Sequence, residues 1–164
     1  MNNSNEQLKF AQWVLERNLG WVAAAEIKAG FIVAIDSAML GVLASSYNSD
    51  KLLEHTSFSC WSSAWASLLL AIGVFCAAMT VFPRVNGPIS SNIFFGNICK
   101  KGVKDFEREF LSTSLEQFLS DCVAQVHRNS EIANHKFRWV RTSMICSIIA
   151  VIPWLLALSS LVEV

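Results

Sequence analysis

Three groups of residues have the types and spacing that bear on chemistry. The first centres on Asp36, which stands in the middle of an apolar run from about Ala25 to Ser46. An ionised carboxylate at the centre of a membrane span costs about 3 kcal/mol on insertion scales, so it must face another helix or a cavity. Such an acid suits a pore lining, a proton site or a gating contact. It equally suits a protonated or hydrogen-bonded packing residue, with Ser37, Ser67 or Thr80 as partners. Glu26 and Lys28 stand at the mouth of the same run. Residues two apart do not face each other on a helix. Lys28 therefore either reaches out to lipid phosphates or meets a ligand or a neighbouring helix.

The second group is His127, Glu131 and His135, spaced by four on one helical face. That spacing is able to hold a metal, but there is no HExxH and no evident fourth ligand, and a solvated helix face accounts for it; no metal is expected. The third group mixes Arg84, Asn86, Asn92, Asn97, Lys100 and Lys101 with Phe94 and Phe95. Cations and amides suit phosphate, and aromatic rings stack a base. The same residues suit anionic headgroups beside a membrane. No GxSxG, GxGxxG or GxxxxGK[ST] occurs, and no nucleophile is paired with a base. The chain is not expected to be an enzyme, and no cofactor is expected. The cysteines (60, 76, 99, 122 and 146) are odd in number and form no CxxC pair, so they read as buried or membrane-embedded small hydrophobes.

The elements that carry these groups are set by composition. Of the 164 residues, 53% are apolar and only 16% charged, against about 25% charged in soluble domains. Net charge is zero, which gives no field for a nucleic acid polymer. The expected fold is all-α with three transmembrane spans. Residues 1–24 form an N-terminal amphipathic helix, with Leu8, Ala11, Leu15 and Val22 on one face, a Ser4–Gln7 capping box and Trp21 near the headgroups. Residues 25–46 form span one and residues 47–57 an external loop. Residues 58–83 form span two, bounded by Trp61 and Trp65 at one end and Pro83 at the other. Residues 142–162 form span three, where Pro153 kinks the helix rather than ending it.

Residues 84–141 form the cytosolic region: a loop to about Asn97, a short helix over Val103–Leu111, and a long helix opened by a Ser114–Gln117 capping box. Leu115, Leu119, Cys122, Val126, Ala133, Phe137 and Val140 keep a near-heptad stripe along that helix, which can run on into span three. Nine of the 13 basic residues lie between spans two and three, and only Lys51 lies between spans one and two. The positive-inside rule places 84–141 and the N-terminus in the cytoplasm and the 47–57 loop outside. No basic segment with an apolar core and a cleavage site follows Met1, so insertion through the chain's own helices is expected.

Three stretches, in order, resemble a known family. They are AAEIKAGFIVAIDSAMLGVL (24–43) entering span one, PISSNIFFGNI (88–98) after span two, and QVHRNSEIANHKFRWVR (125–141) leading into span three. Together they resemble the small transmembrane effectors of Pycsar antiphage systems, over essentially the whole chain. The resemblance implies a homo-oligomer in the bacterial inner membrane that responds to a cyclic pyrimidine nucleotide, cUMP or cCMP, impairs the membrane and aborts infection. Matching positions are Glu26, Lys28 and Ala29, then Phe95, Gly96 and Asn97, then Glu131, Lys136 and Arg138. Combined with the residue types above, it implies ligand contacts among Lys28, Arg84, Asn92, Phe95, Asn97, Lys100, Lys101, Lys136 and Arg138, with Glu26, Asp36 and Pro153 in gating or packing. A non-enzymatic membrane scaffold and a small channel are the competing readings.

Overall fold

The computed structural model describes residues 2–47, 57–84, 87–88 and 91–162. It contains α1 (Asn2–Tyr47), α2 (Ser57–Val81), the single turn α3 (Phe95–Ile98), α4 (Val103–Ser112) and α5 (Leu115–Val162), with no strand among the described residues. The three spans fall on α1, α2 and α5, each long and apolar enough to cross a membrane. The expected external loop lies almost wholly outside the described residues.

The amphipathic segment and span one are one unbroken helix. At 1.5 Å per residue the 46 residues of α1 reach about 70 Å, more than twice the ~30 Å of a hydrocarbon core. The same holds for the 48 residues of α5. Ser4 therefore lies inside α1 and is not its cap, a correction to the expected first box. The second box is formed: Gln117 Oε1 accepts from the Ser114 N–H at 2.9 Å, and the Gln117 N–H donates to Ser114 Oγ at 3.3 Å. Pro153 lies within α5, and the helix continues past it. α2 stops at Val81, two residues before Pro83.

Two compact units divide the chain. One comprises residues 1–24 and 83–135, the other 25–82 and 136–164. In the first, the stripe expected on the N-terminal helix faces inward, with Ala11 and Asn18 buried. Asn18 Nδ2 donates to the Val126 carbonyl at 3.0 Å. The outward face mixes the exposed Glu6, Lys9, Glu16 and Arg17 with the exposed Phe10, Trp13 and Trp21, and the Arg17 guanidinium lies over both tryptophan rings. From α5, Cys122, Gln125 and Ala133 are buried. Burial pushes the Cys122 thiol above its ordinary pKa, and the neighbouring Asp121 adds to the shift.

In the second unit the helices meet through small residues. Ala25, Ala29, Ala77 and Val140 form one cluster, and Leu43, Ala66, Leu70, Ala150 and Ala157 form another. Lipid tails are as apolar as leucine, so helices associate by close packing rather than by escape from water, and alanine permits that approach. Large apolar side chains such as Phe31, Ile35, Phe75, Ile148 and Ile152 point outward, which suits lipid as the solvent.

Candidate functional site

In the first unit the segment after α2 is shaped around Phe94. A Cβ on Gly87 or on Gly96 would collide with the Phe94 ring, so both positions must stay bare for the ring to seat. Ser91 Oγ accepts from the N–H groups of Ile93 and Phe94 at 3.1 and 3.0 Å and from Gln125 Nε2 at 2.8 Å. These bonds fasten the turn to α5. Asn97 Nδ2 closes it by donating to the Pro88 carbonyl at 2.8 Å.

This framework leaves a cavity of about 280 Å³, lined by Arg84, Phe94, Phe95, Gln125, Arg128 and Asn129, with Leu15 and Leu19 at its apolar side. The volume is close to the ~300 Å³ at which small-ligand sites begin. The Arg84 guanidinium meets the His135 ring. Arg128 pairs with Glu131 at 3.0 Å. Two guanidinium groups, two amides and two aromatic rings thus share one small space.

A larger cavity, about 480 Å³, lies in the same unit. Its lining includes Glu109, Asp121, Ser112, Thr113 and Gln117, and its acids would repel a phosphate. Asp121 Oδ2 accepts from the Asn92 N–H at 2.7 Å. Lys101 Nζ donates to Asn92 Oδ1 at 2.8 Å and to Glu109 Oε2 at 2.6 Å. The Lys101 hydrogen bond holds the Glu109 carboxyl below its ordinary pKa.

In the second unit, Lys136 is 3% exposed and belongs to a clamp. Its ammonium donates to Glu26 Oε1 at 2.8 Å and to the Thr80 carbonyl. Thr80 stands in the last turn of α2, whose carbonyls have no helical partner. One buried cation therefore joins α1, the end of α2 and α5. Lys28 lies beside it, 5.4 Å from the Phe137 ring centre.

Deeper in the same unit, Asp36 is fully buried. Its partner is none of the three expected from the sequence: Ser147 Oγ donates to Oδ2 at 2.8 Å. Ser143 Oγ donates to the Gly73 carbonyl at 2.7 Å.

The sequence-predicted ligand residues do not converge. Arg84 and Phe95 share the smaller cavity. Asn92 and Lys101 bond to each other, and Asn97 holds a turn. Lys100 and Arg138 are exposed. Lys28 and Lys136 belong to the second unit, and Lys136 is too enclosed for the ligand contact expected of it. Arg128 and Gln125 also line that cavity without having been expected; Gln125 is buried near Cys122 on α5, whereas the stripe spacing does not single out Arg128. His127 and Glu131 are exposed at 3.8 Å, and His135 meets Arg84 instead. No group able to hold a metal occurs among the described residues.

No curated protein and no solved structure matches the chain. The family model of the Pycsar effector protein domain matches residues 10–162, a stretch that takes in all three apolar helices and both units. The chain therefore belongs to the Pycsar effector family, as a membrane protein of antiphage defence.

Proposed function

We propose that this effector binds a cyclic pyrimidine nucleotide, cUMP or cCMP, in the cavity between α1, the Phe94 turn and α5 of the first unit. Binding leads to impairment of the bacterial inner membrane and abortive infection. The observation that carries the reading is the meeting of Arg84 and Arg128 with Phe94 and Phe95 in one cavity. Guanidinium groups match a cyclic phosphodiester by charge-assisted hydrogen bonds. A ring face is available for the pyrimidine, and the amides of Gln125 and Asn129 offer donors and acceptors to its edge. The cavity is small, which suits one pyrimidine nucleotide better than a purine.

The effector acts without catalysis. α5 carries residues of both units on one continuous helix, which gives the bound state a route to the spans. The Glu26–Lys136–Thr80 clamp holds the resting arrangement, and Pro153 gives α5 a point of bending. Several copies act together, because three helices line no wide opening. The N-terminus and 84–141 face the cytoplasm, where the nucleotide is made.

Isothermal titration of the detergent-purified protein with cUMP, cCMP and cAMP tests the reading. One pyrimidine nucleotide should bind saturably, and Arg84→Ala or Arg128→Ala should each weaken it by about tenfold, as expected for one charge-assisted contact. Equal affinity for cAMP, or no effect of either variant, would move the site elsewhere. Binding of no cyclic nucleotide by folded protein would favour a scaffold.

A further inference from the structure

Asp36 is the only charged residue between Lys28 and Asp50, and neither span two nor span three contains another. Its surroundings are built for it. Gly73 faces it from α2, and a Cβ there would lie 2.5 Å from Asp36 Oδ2 and 3.2 Å from Ser147 Oγ. Ser147 satisfies Oδ2 from α5. Oδ1 is buried with no hydrogen-bond partner. An apolar residue of similar shape would pack here at no such cost, so cohesion alone does not account for the acid.

The node is made of oxygen: the Asp36 carboxyl, the Ser143 and Ser147 hydroxyls, and the Gly73 carbonyl. Among the described residues no cationic side chain contributes to it. Oxygen donors carrying negative charge select cations in pores, where they stand in for an ion's hydration shell. Immediately beside the node, α1 and α5 leave an apolar groove of about 240 Å³, lined by Ile32, Ile35, Met39, Met144, Ile148 and Val151 as well as Asp36 and Ser147. Asp36 lines that groove, so separation of α1 from α5 along it would uncover the carboxylate.

We infer that, when the spans part, Asp36 with Ser143 and Ser147 lines the opening and makes it conduct monovalent cations in preference to anions. This rests on the proposed membrane impairment and names what passes. The resting bundle keeps the carboxyl covered, so conduction requires the rearrangement.

The test is the reversal potential of protein reconstituted in a planar phosphatidylethanolamine–phosphatidylglycerol bilayer under asymmetric KCl, with cUMP or cCMP added. Current in the parent protein should reverse toward the potassium equilibrium potential. Asp36→Asn, which keeps shape and can still accept from Ser147, should retain current while its reversal potential moves toward zero. Equal passage of potassium and chloride by the parent protein overturns the inference without any variant, and so does a potential unmoved in Asp36→Asn; both leave membrane impairment standing. Absence of nucleotide-dependent current overturns membrane impairment, and the selectivity with it.

Discussion

Lys136 and Glu26 illustrate how burial assigns a role that charge does not. The ammonium is 3% exposed while the Glu26 side chain is 43% exposed, so the two partners are not equivalent. Removing Glu26 strands a buried cation, which costs about 3 kcal/mol. Removing Lys136 leaves a carboxylate that can turn to water. Glu26→Ala should therefore lower the melting temperature of the detergent-solubilised protein more than Lys136→Met does. Equal losses would show that the ammonium is solvated. Gly73→Ala tests the intramembrane packing at the same scale. Its methyl group meets Asp36 and Ser147, and overpacking of this kind costs about 1–3 kcal/mol, measured as a lower unfolding midpoint. At the surface of the first unit, Glu109 is held below its ordinary value of 4.5 by Lys101. A carboxyl with a depressed folded pKa stabilises above its unfolded value, and the contribution is lost as pH falls through the folded one. The protection factors of the α4 amides should therefore fall only below about pH 4.5, and Glu109→Gln should remove that acid dependence.

At the scale of the element, α5 depends on a local start and a distributed core. The reciprocal Ser114–Gln117 bonds satisfy two backbone groups that an uncapped helix would leave open. Ser114→Ala should cost about 1 kcal/mol. The loss should appear as faster amide exchange in the first turn, with the span untouched. Most of its inward stripe was legible because a period near 3.5 survives over many residues: Cys122, Ala133 and Val140 are buried as the spacing requires, whereas Leu115 at the start of the helix is exposed. The start of α1 was less legible. Ser4 and Gln7 have the right types for a cap, yet the helix already runs through them from Asn2. A capping motif marks a start only where the preceding backbone leaves the helix, and no residue type enforces that here.

For the whole molecule, charge asymmetry predicts a topology that thiol chemistry can read. Cys99 is exposed in the region between spans two and three, and Cys122 is buried with a raised pKa. The thiolate is the reactive form, so a maleimide should label Cys99 and spare Cys122. A membrane-impermeant reagent should reach Cys99 only after the inner membrane is breached, whereas Lys51→Cys should be labelled in intact spheroplasts. The reverse pattern would invert the assigned orientation.

Hydropathy and periodicity by themselves determined three helices of spanning length, because an apolar run of about 20 residues has few other stable fates. The same one-dimensional patterns carried the long α5 and, through three ordered motifs, the family. They could not carry the grouping of side chains. Arg84 and Arg128 lie 44 positions apart in the sequence, and only tertiary packing lines one cavity with both. Asp36 and Ser147 are 111 positions apart, and nothing local to Asp36 distinguishes that serine from Ser37 or Ser67. The sequence offers Lys136 as a ligand contact, and only folding encloses it against Glu26 and the end of α2. Sequence spacing fixes which face of a helix a residue occupies; which helix that face meets, and at what depth, is decided by packing.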